Sequence, residues 1–148
     1  MAENKNNEKI SGNGKNFARA IGRDLPISIK TSINVCNFIR GISVERAKKI
    51  LDNAISKKQA IPYRRFTMDL GHKRNIGPGR YPVKACTHIL EIIKSAEANA
   101  KNIGLSTKGM VIEKLIANRA ARPFRYGRKR RIKMKRTHIE VVVSEGKK

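Results

Sequence analysis

Acidic residues are scarce in this chain. There are 11 Asp and Glu against 34 Lys and Arg among 148 residues, a formal net charge of +23. Solubility asks for a net charge of only roughly 2–8 in a small domain, and a larger one repels itself in a compact fold. The imbalance points to a polyanionic partner, of which nucleic acid is the commonest in a cell. Cysteine is scarce too: Cys36 and Cys86 form no CxxC and are too few for a secreted disulfide scaffold. Each falls on an apolar helical face, where a buried, reduced thiol is expected. No apolar run is long enough to span a membrane, and the N-terminal MAENKNNEKISGNGKN lacks the apolar core of a secretory signal. The expected setting is the cytoplasm, with no membrane partner.

Catalytic signatures are missing as well. His72, His88 and His138 are far apart, with no carboxylate or cysteine neighbours at ligand spacing. No DxD or HExxH pairing and no nucleophile elbow occurs. Gly77-Pro78-Gly79 has neither the GxGxxG spacing of a dinucleotide site nor the Lys-Ser/Thr that completes a P-loop. These absences argue against an enzyme, and no cofactor or metal is expected.

What is present suits one domain with an apolar core. The length fits a single unit of about 150 residues, and 39% of the chain is apolar. Residues 1–16 are Asn-, Lys- and Gly-rich and read as a flexible tail. Residues 17–144 read as one RNA-binding domain, and 145–148 as a second tail. A short strand is expected within 17–27, ending near Pro26. Ser28 can cap a helix starting at Ile29, whose stripe is Ile29, Ile33, Cys36 and Ile39 and whose end is Gly41. Ser43 can cap a second helix, on which Ala47, Ile50, Leu51, Ala54 and Ile55 form an amphipathic stripe. Pro82 suits the first turn of a third helix, with Cys86, Ile89, Leu90, Ile93, Ala96 and Ala100 facing inward and Gly104 as its cap.

The pattern then changes period. Residues 110–117 and 138–143 are rich in β-branched residues and read as strands. The basic excursion between them suggests a hairpin arm over 108–143. The fifteen residues from Lys108 to Arg122, fully extended, would span about 50 Å, more than the radius of such a globule, so the arm is expected to project. The fold class is therefore α+β: three helices packed on a small antiparallel sheet, with a long protruding β-hairpin arm.

Two basic patches stand out. The window 114–139 holds eleven cations and no acid. Lys114, Arg119, Arg122 and Arg125 lead in, Arg128, Lys129, Arg130 and Arg131 run consecutively, and Lys133, Lys135 and Arg136 follow. Seven are arginine, whose planar fork matches phosphate and stacks on bases. Phe124 and Tyr126 are interleaved, as suits unpaired RNA bases. The other patch is the irregular segment 59–82, with Arg64, Arg65, Lys73, Arg74 and Arg80 against the single acid Asp69. Its Gly-Pro-Gly run and prolines argue against a regular helix or a central strand, while its glycines let backbone approach a phosphate. The bland alternatives are a solvated basic tail, a nuclear import signal in GRKRRIKMKR, and an ordinary charged loop. The import reading leaves the flanking strands unexplained.

Three segments carry a family resemblance. They are Ile39-Arg40-Gly41-Ile42-Ser43 with Ala47 and Leu51; Gly77-Pro78-Gly79-Arg80-Tyr81-Pro82-Val83-Lys84-Ala85 leading to Ala96-Glu97-Ala98-Asn99-Ala100; and Thr137-His138-Ile139-Glu140-Val141-Val142-Val143. Over residues 17–144 the chain resembles the universal large-subunit ribosomal proteins called "L twenty-two" in bacteria and "L seventeen" in eukaryotes, in their archaeal and eukaryotic form. The resemblance implies three helices on a small sheet with a long hairpin. It implies a structural constituent of the large subunit that binds ribosomal RNA, aids assembly and lines the peptide exit tunnel with its arm. Expected partners are large-subunit ribosomal RNA, neighbouring ribosomal proteins and the nascent peptide. Residues 119–136 would form the tip and its flanks, with Tyr126 among the RNA contacts there and Lys84 joining those of the 59–82 segment. The run from Arg128 to Arg131 is richer in cations than is usual for the family. Two rival functions are a free nucleic-acid-binding module, which the arm and the GPGRYPVKA segment disfavour, and an RNA-modifying enzyme, for which no catalytic constellation exists.

Overall fold

The architecture comes from a computed structural model that describes residues 17–107 and 109–145. The expected N-terminal tail, Lys108 and residues 146–148 lie outside the described residues. The elements run β1 (Phe17–Leu25), α1 (Ile29–Ile39), α2 (Val44–Ile55), β2 (Ile61–Pro62), β3 (His72–Lys73), β4 (Gly77–Arg80), α3 (Val83–Asn102), β5 (Val111–Arg119) and β6 (Thr137–Ser144). The three helices are those the apolar spacing predicts. There are two antiparallel sheets, however, and not one: β1-β6-β5 and β2-β4-β3.

The larger sheet forms the floor of the core. Its central strand β6 alternates, burying Thr137, Ile139, Val141 and Val143 while the residues between them are half exposed. Strand β5 would break that alternation, because Ile112 and Leu115 are three apart. A bulge between Ile112 and Lys114 corrects it: the extra residue resets the pleat, and both side chains point inward, fully buried. Helix α3 lies across this sheet, burying Cys86, Ile89, Ile93, Ala96 and Ala100. Gly22 lets β1 press against it, since a Cβ there would run into the Ile92 side chain.

Helix ends follow the predicted residues with different chemistry. Ser28 and Ser43 occupy the N-cap positions, but neither side chain bonds the backbone. Pro82 is the N-cap of α3 and sits outside its first turn, because its φ of −80° and ψ of 63° form an inverse γ-turn in which the Val83 amide donates to the Tyr81 carbonyl at 2.9 Å. Gly41, at φ +77°, closes α1 and donates its amide to the Ile112 carbonyl at 2.9 Å, tying the turn to β5.

The stripe on α1 also differs. Ile29 and Ile33 are only half-buried, whereas Ser32, Asn34 and Val35 are buried beside Cys36 and Ile39. The helix is thus rotated toward polar residues, which is tolerable because each is satisfied. Ser32 Oγ donates to the Ser28 carbonyl at 2.9 Å, and Asn34 bonds to the loop described below.

Segment 59–82 is the main correction. Gly77–Arg80 is a strand, and the central one of the smaller sheet, pairing with β2 through Ile61↔Arg80 and Pro62↔Gly79 and with β3 through His72↔Pro78 and Lys73↔Gly77. Pro78 has no N–H for a ladder, yet its carbonyl accepts from the Tyr63 amide at 2.9 Å. Gly79 is buried, and a Cβ there would press on Lys73 Cγ at 3.2 Å. A strand of four residues can accommodate proline and two glycines because Ile61, Tyr63 and Leu70 bury around it.

Candidate nucleic-acid interface

The outer part of the hairpin arm is held mainly by backbone pairing, with one side-chain bond across it, from Arg122 Nε to the Met134 carbonyl at 3.4 Å. Beyond the last ladder pair, Arg119↔Thr137, the Ala120 amide donates to the Arg136 carbonyl at 3.3 Å. Further out, the Met134 amide donates to the Pro123 carbonyl at 2.8 Å and the Arg125 amide to the Ile132 carbonyl at 2.9 Å. A short 3-10 turn at Gly127–Lys129 closes the tip. Every residue from Ala121 to Lys133 is exposed. Seven of these are cations and none is an acid. The arm's apolar side chains are spread outward too: Phe124 is 58% and Tyr126 90% exposed. Lys133 Nζ lies 4.8 Å from the centroid of the Phe124 ring, a cation–π contact across the strands.

The candidate cations do not all have the same freedom. Arg119, Arg122, Arg125, Arg128, Lys129, Arg130, Arg131, Lys133 and Lys135 are exposed. Arg136 is half-buried, and its Nη1 donates to the Asp24 carbonyl at 2.9 Å, which ties the arm's base to the end of β1. Among the described residues, the ion pairs are Arg19–Glu140 at 3.0 Å, Lys48–Glu97 and His88–Glu91 at 3.4 Å. None involves a candidate cation. The patches therefore keep their charge available for an outside anion.

The second patch is held by a residue that the periodicity missed. Asn34 is buried on α1, accepts from the Arg65 amide and donates to the Phe66 carbonyl, both at 3.2 Å. This clamp fixes the backbone from which Arg64 and Arg65 project into solvent. The helix carries a second amide, Asn37, which is exposed, so composition alone did not single Asn34 out. Lys73, Arg74 and Arg80 are exposed on the small sheet and its turn, and Lys84 on the first turn of α3. Arg65 lies 5.5 Å from the Phe66 centroid, and Lys73 Nζ 5.8 Å from that of Tyr81.

The fold also brings the two patches together. A groove of about 420 Å³ lies between the starts of α1 and α3, lined by Arg80 and Lys84 and by Lys135 of the arm. Ile27, Tyr63 and Tyr81 contribute to its walls, and no acid lines it.

The remaining titratable groups serve the fold. Burial pushes the Cys36 and Cys86 thiols up to about 12, opposed at Cys36 by the nearby Arg40 guanidinium. His138 accepts from the Asp24 amide at 3.2 Å through Nδ1. His88 does have a carboxylate neighbour, Glu91 one turn on; the helix places it there, at a spacing the linear reading passed over. No group of three or more metal-ligating side chains gathers among the described residues.

Comparison with known proteins gives a consistent result. The profile of the family described as "Ribosomal protein L22p/L17e" matches residues 20–144. The chain is similar to the "Large ribosomal subunit protein uL22" of Thermoplasma acidophilum, at 38% identity over 88% of this chain and 90% of the relative. It is 36% identical to the protein of that name from Thermoplasma volcanium, over 89% of this chain and 93% of the relative. The corresponding protein of Methanoculleus marisnigri is 37% identical, over 89% and 92%.

Proposed function

The chain belongs to the ribosomal protein L22p/L17e family, a structural component of the large ribosomal subunit and not an enzyme, and from that premise we propose that its two basic patches bind ribosomal RNA. The carrying observation is the run from Ala121 to Lys133, in which every residue is exposed and every charge is positive. A globular protein has no internal use for such a segment. Phosphates neutralise it, and Phe124 and Tyr126 offer unpaired bases an aromatic face.

In this reading Arg122, Arg125, Arg128, Lys129, Arg130, Arg131, Lys133 and Lys135 contact RNA along the arm, and Tyr126 stacks near the tip. Arg119 contacts phosphate at the arm's base. Arg136 contributes charge while holding the arm to β1. Arg64, Arg65, Lys73, Arg74, Arg80 and Lys84 form the second contact area on the body. One protein bridging two separated RNA segments aids subunit assembly. The tip faces the peptide exit tunnel and the nascent peptide, and the outer face of the body meets neighbouring ribosomal proteins.

The test is sedimentation of tagged full-length protein from lysate, repeated after a high-salt wash. Contacts made through phosphates alone weaken by about 0.9 log units per log unit of salt for each duplex phosphate. An arm threaded into folded RNA is retained kinetically, so one copy per large subunit should survive the wash. Release into free fractions, or spreading along bulk nucleic acid, would contradict the reading.

A further inference from the structure

We infer that the groove between the starts of α1 and α3 is a binding site for a single unpaired RNA nucleotide, its base against Tyr81 and the apolar wall and its phosphate between Arg80, Lys84 and Lys135. This rests on the ribosomal RNA reading and adds to it a defined site on the body, away from the arm tip.

Three observations carry it. The groove's volume of about 420 Å³ falls in the range of roughly 300–1,000 Å³ typical of small-ligand sites. That is room enough for a single nucleotide. Its rim carries three exposed cations and no acid. They come from three elements: Arg80 ends β4, Lys84 lies in the first turn of α3, and Lys135 precedes β6. Their convergence is a product of folding. The wall behind them is apolar and aromatic, with Ile27 and Tyr63 buried and Tyr81 half-buried. A phosphate alone would use the cations and leave that wall wet, whereas a nucleotide uses both.

The walls are also braced by hydrogen bonds. Both helices are entered through a proline, with an i to i+2 hydrogen bond on each approach. The Ile27 amide donates to the Leu25 carbonyl at 2.7 Å beside Pro26, as the Val83 amide does to the Tyr81 carbonyl beside Pro82. Thr137 Oγ1 donates to the Ile27 carbonyl at 3.0 Å, locking the groove to the base of the arm. A site that does not reorganise loses less entropy on binding.

The experiment uses the labelled full-length chain followed by amide NMR. It is titrated with a 5′-phosphorylated single-stranded RNA tetranucleotide and with an abasic tetranucleotide of equal charge. The expected result is shifts at the amides of Ile27–Thr31, Arg80, Tyr81 and Val83–Ala85, with the abasic strand titrating these amides at least about fivefold more weakly, as loss of one stacked base requires. Read at those groove amides, Tyr81→Phe should behave as the parent, and Tyr81→Leu should reduce the affinity of the ordinary strand to the abasic level. Equal affinity for the two strands, or shifts confined to residues 121–133, overturns the inference. So does a groove that ignores both strands but responds to a Glu-rich hexapeptide, which would make its occupant a protein tail. The wild-type abasic comparison stands even if a Tyr81 variant misfolds. Retention of full-length large-subunit ribosomal RNA is measured alongside. If the chain retains it while the groove is silent, only the nucleotide site is lost; if the chain fails to retain it, the broader reading falls as well.

Discussion

The two halves of the C-terminal hairpin are made by the same backbone and held by different forces. At its base, β5 and β6 bury Ile112, Leu115, Ile139, Val141 and Val143 completely. At its outer end, from Ala121 to Lys133, no side chain is buried, though backbone hydrogen bonds continue to the tip. A backbone hydrogen bond is worth only about 0.5–1.5 kcal/mol net, against about 1.5–3 kcal/mol for each large apolar side chain buried. The base is thus an integral part of the body. The arm has a shape but little stability of its own.

Substitution separates the two regimes, and the core gives the largest effect. Ile139→Ala should destabilise the body by about 2–5 kcal/mol in denaturant unfolding. Ile132→Ala, on the exposed arm, should change stability by no more than about 0.5 kcal/mol. Similar losses from both would mean that the arm packs on something in the free protein. Replacing Arg128, Lys129, Arg130 and Arg131 by Gln reverses the contrast. Folding should be unaffected, while the salt dependence of ribosomal RNA binding should flatten by roughly 3 log units per log unit of salt. An unchanged slope would remove the tip from the interface.

Asn34→Ala probes the junction between the regimes. It strands the Arg65 amide and the Phe66 carbonyl, at a cost of about 1–3 kcal/mol. Hydrogen exchange should then speed up through segment 59–82, while the arm, already fast, does not change. The last contrast appears only at alkaline pH and concerns the thiols. Burial raises Cys36 and Cys86 from 9.0 to about 12, so the folded state favours their protonated form. Their contribution is complete below pH 9 and declines as pH rises from 9 toward 12. At pH 8 a thiol reagent should label neither cysteine in the native protein and both in guanidinium. Replacing both by Ala should flatten that part of the alkaline loss. Rapid native labelling would show that the body opens as easily as the arm.

Much of the fold was legible because its signals are local. The apolar spacing of α2 and α3, the turn at Gly41 and the alternation of β6 each identify their element without reference to the rest of the chain. The cations of both patches were legible too, since an unpaired positive run has few fates besides an anion. The small sheet was not legible. Gly77-Pro78-Gly79 has the composition of a turn, and it becomes a central strand only because Ile61 and Tyr63 bury beside it and Tyr63 donates to Pro78. The rotation of α1 was hidden for a related reason. Ser32 and Asn34 lie outside the predicted apolar stripe, and it is their hydrogen-bond partners, for Asn34 far along the chain, that make burial acceptable.

By itself, then, the amino-acid sequence determined the excess of positive charge, the three helices and the two strands of the arm. Net charge and hydrophobic period are sums over the chain and survive without coordinates. Only the tertiary structure decided which cations are free and which are committed, since Arg136 differs from Lys135 in having the Asp24 carbonyl within reach. Only it could bring Arg80, Lys84 and Lys135 to one groove, because that proximity depends on how α1, α3 and the base of the arm pack against each other.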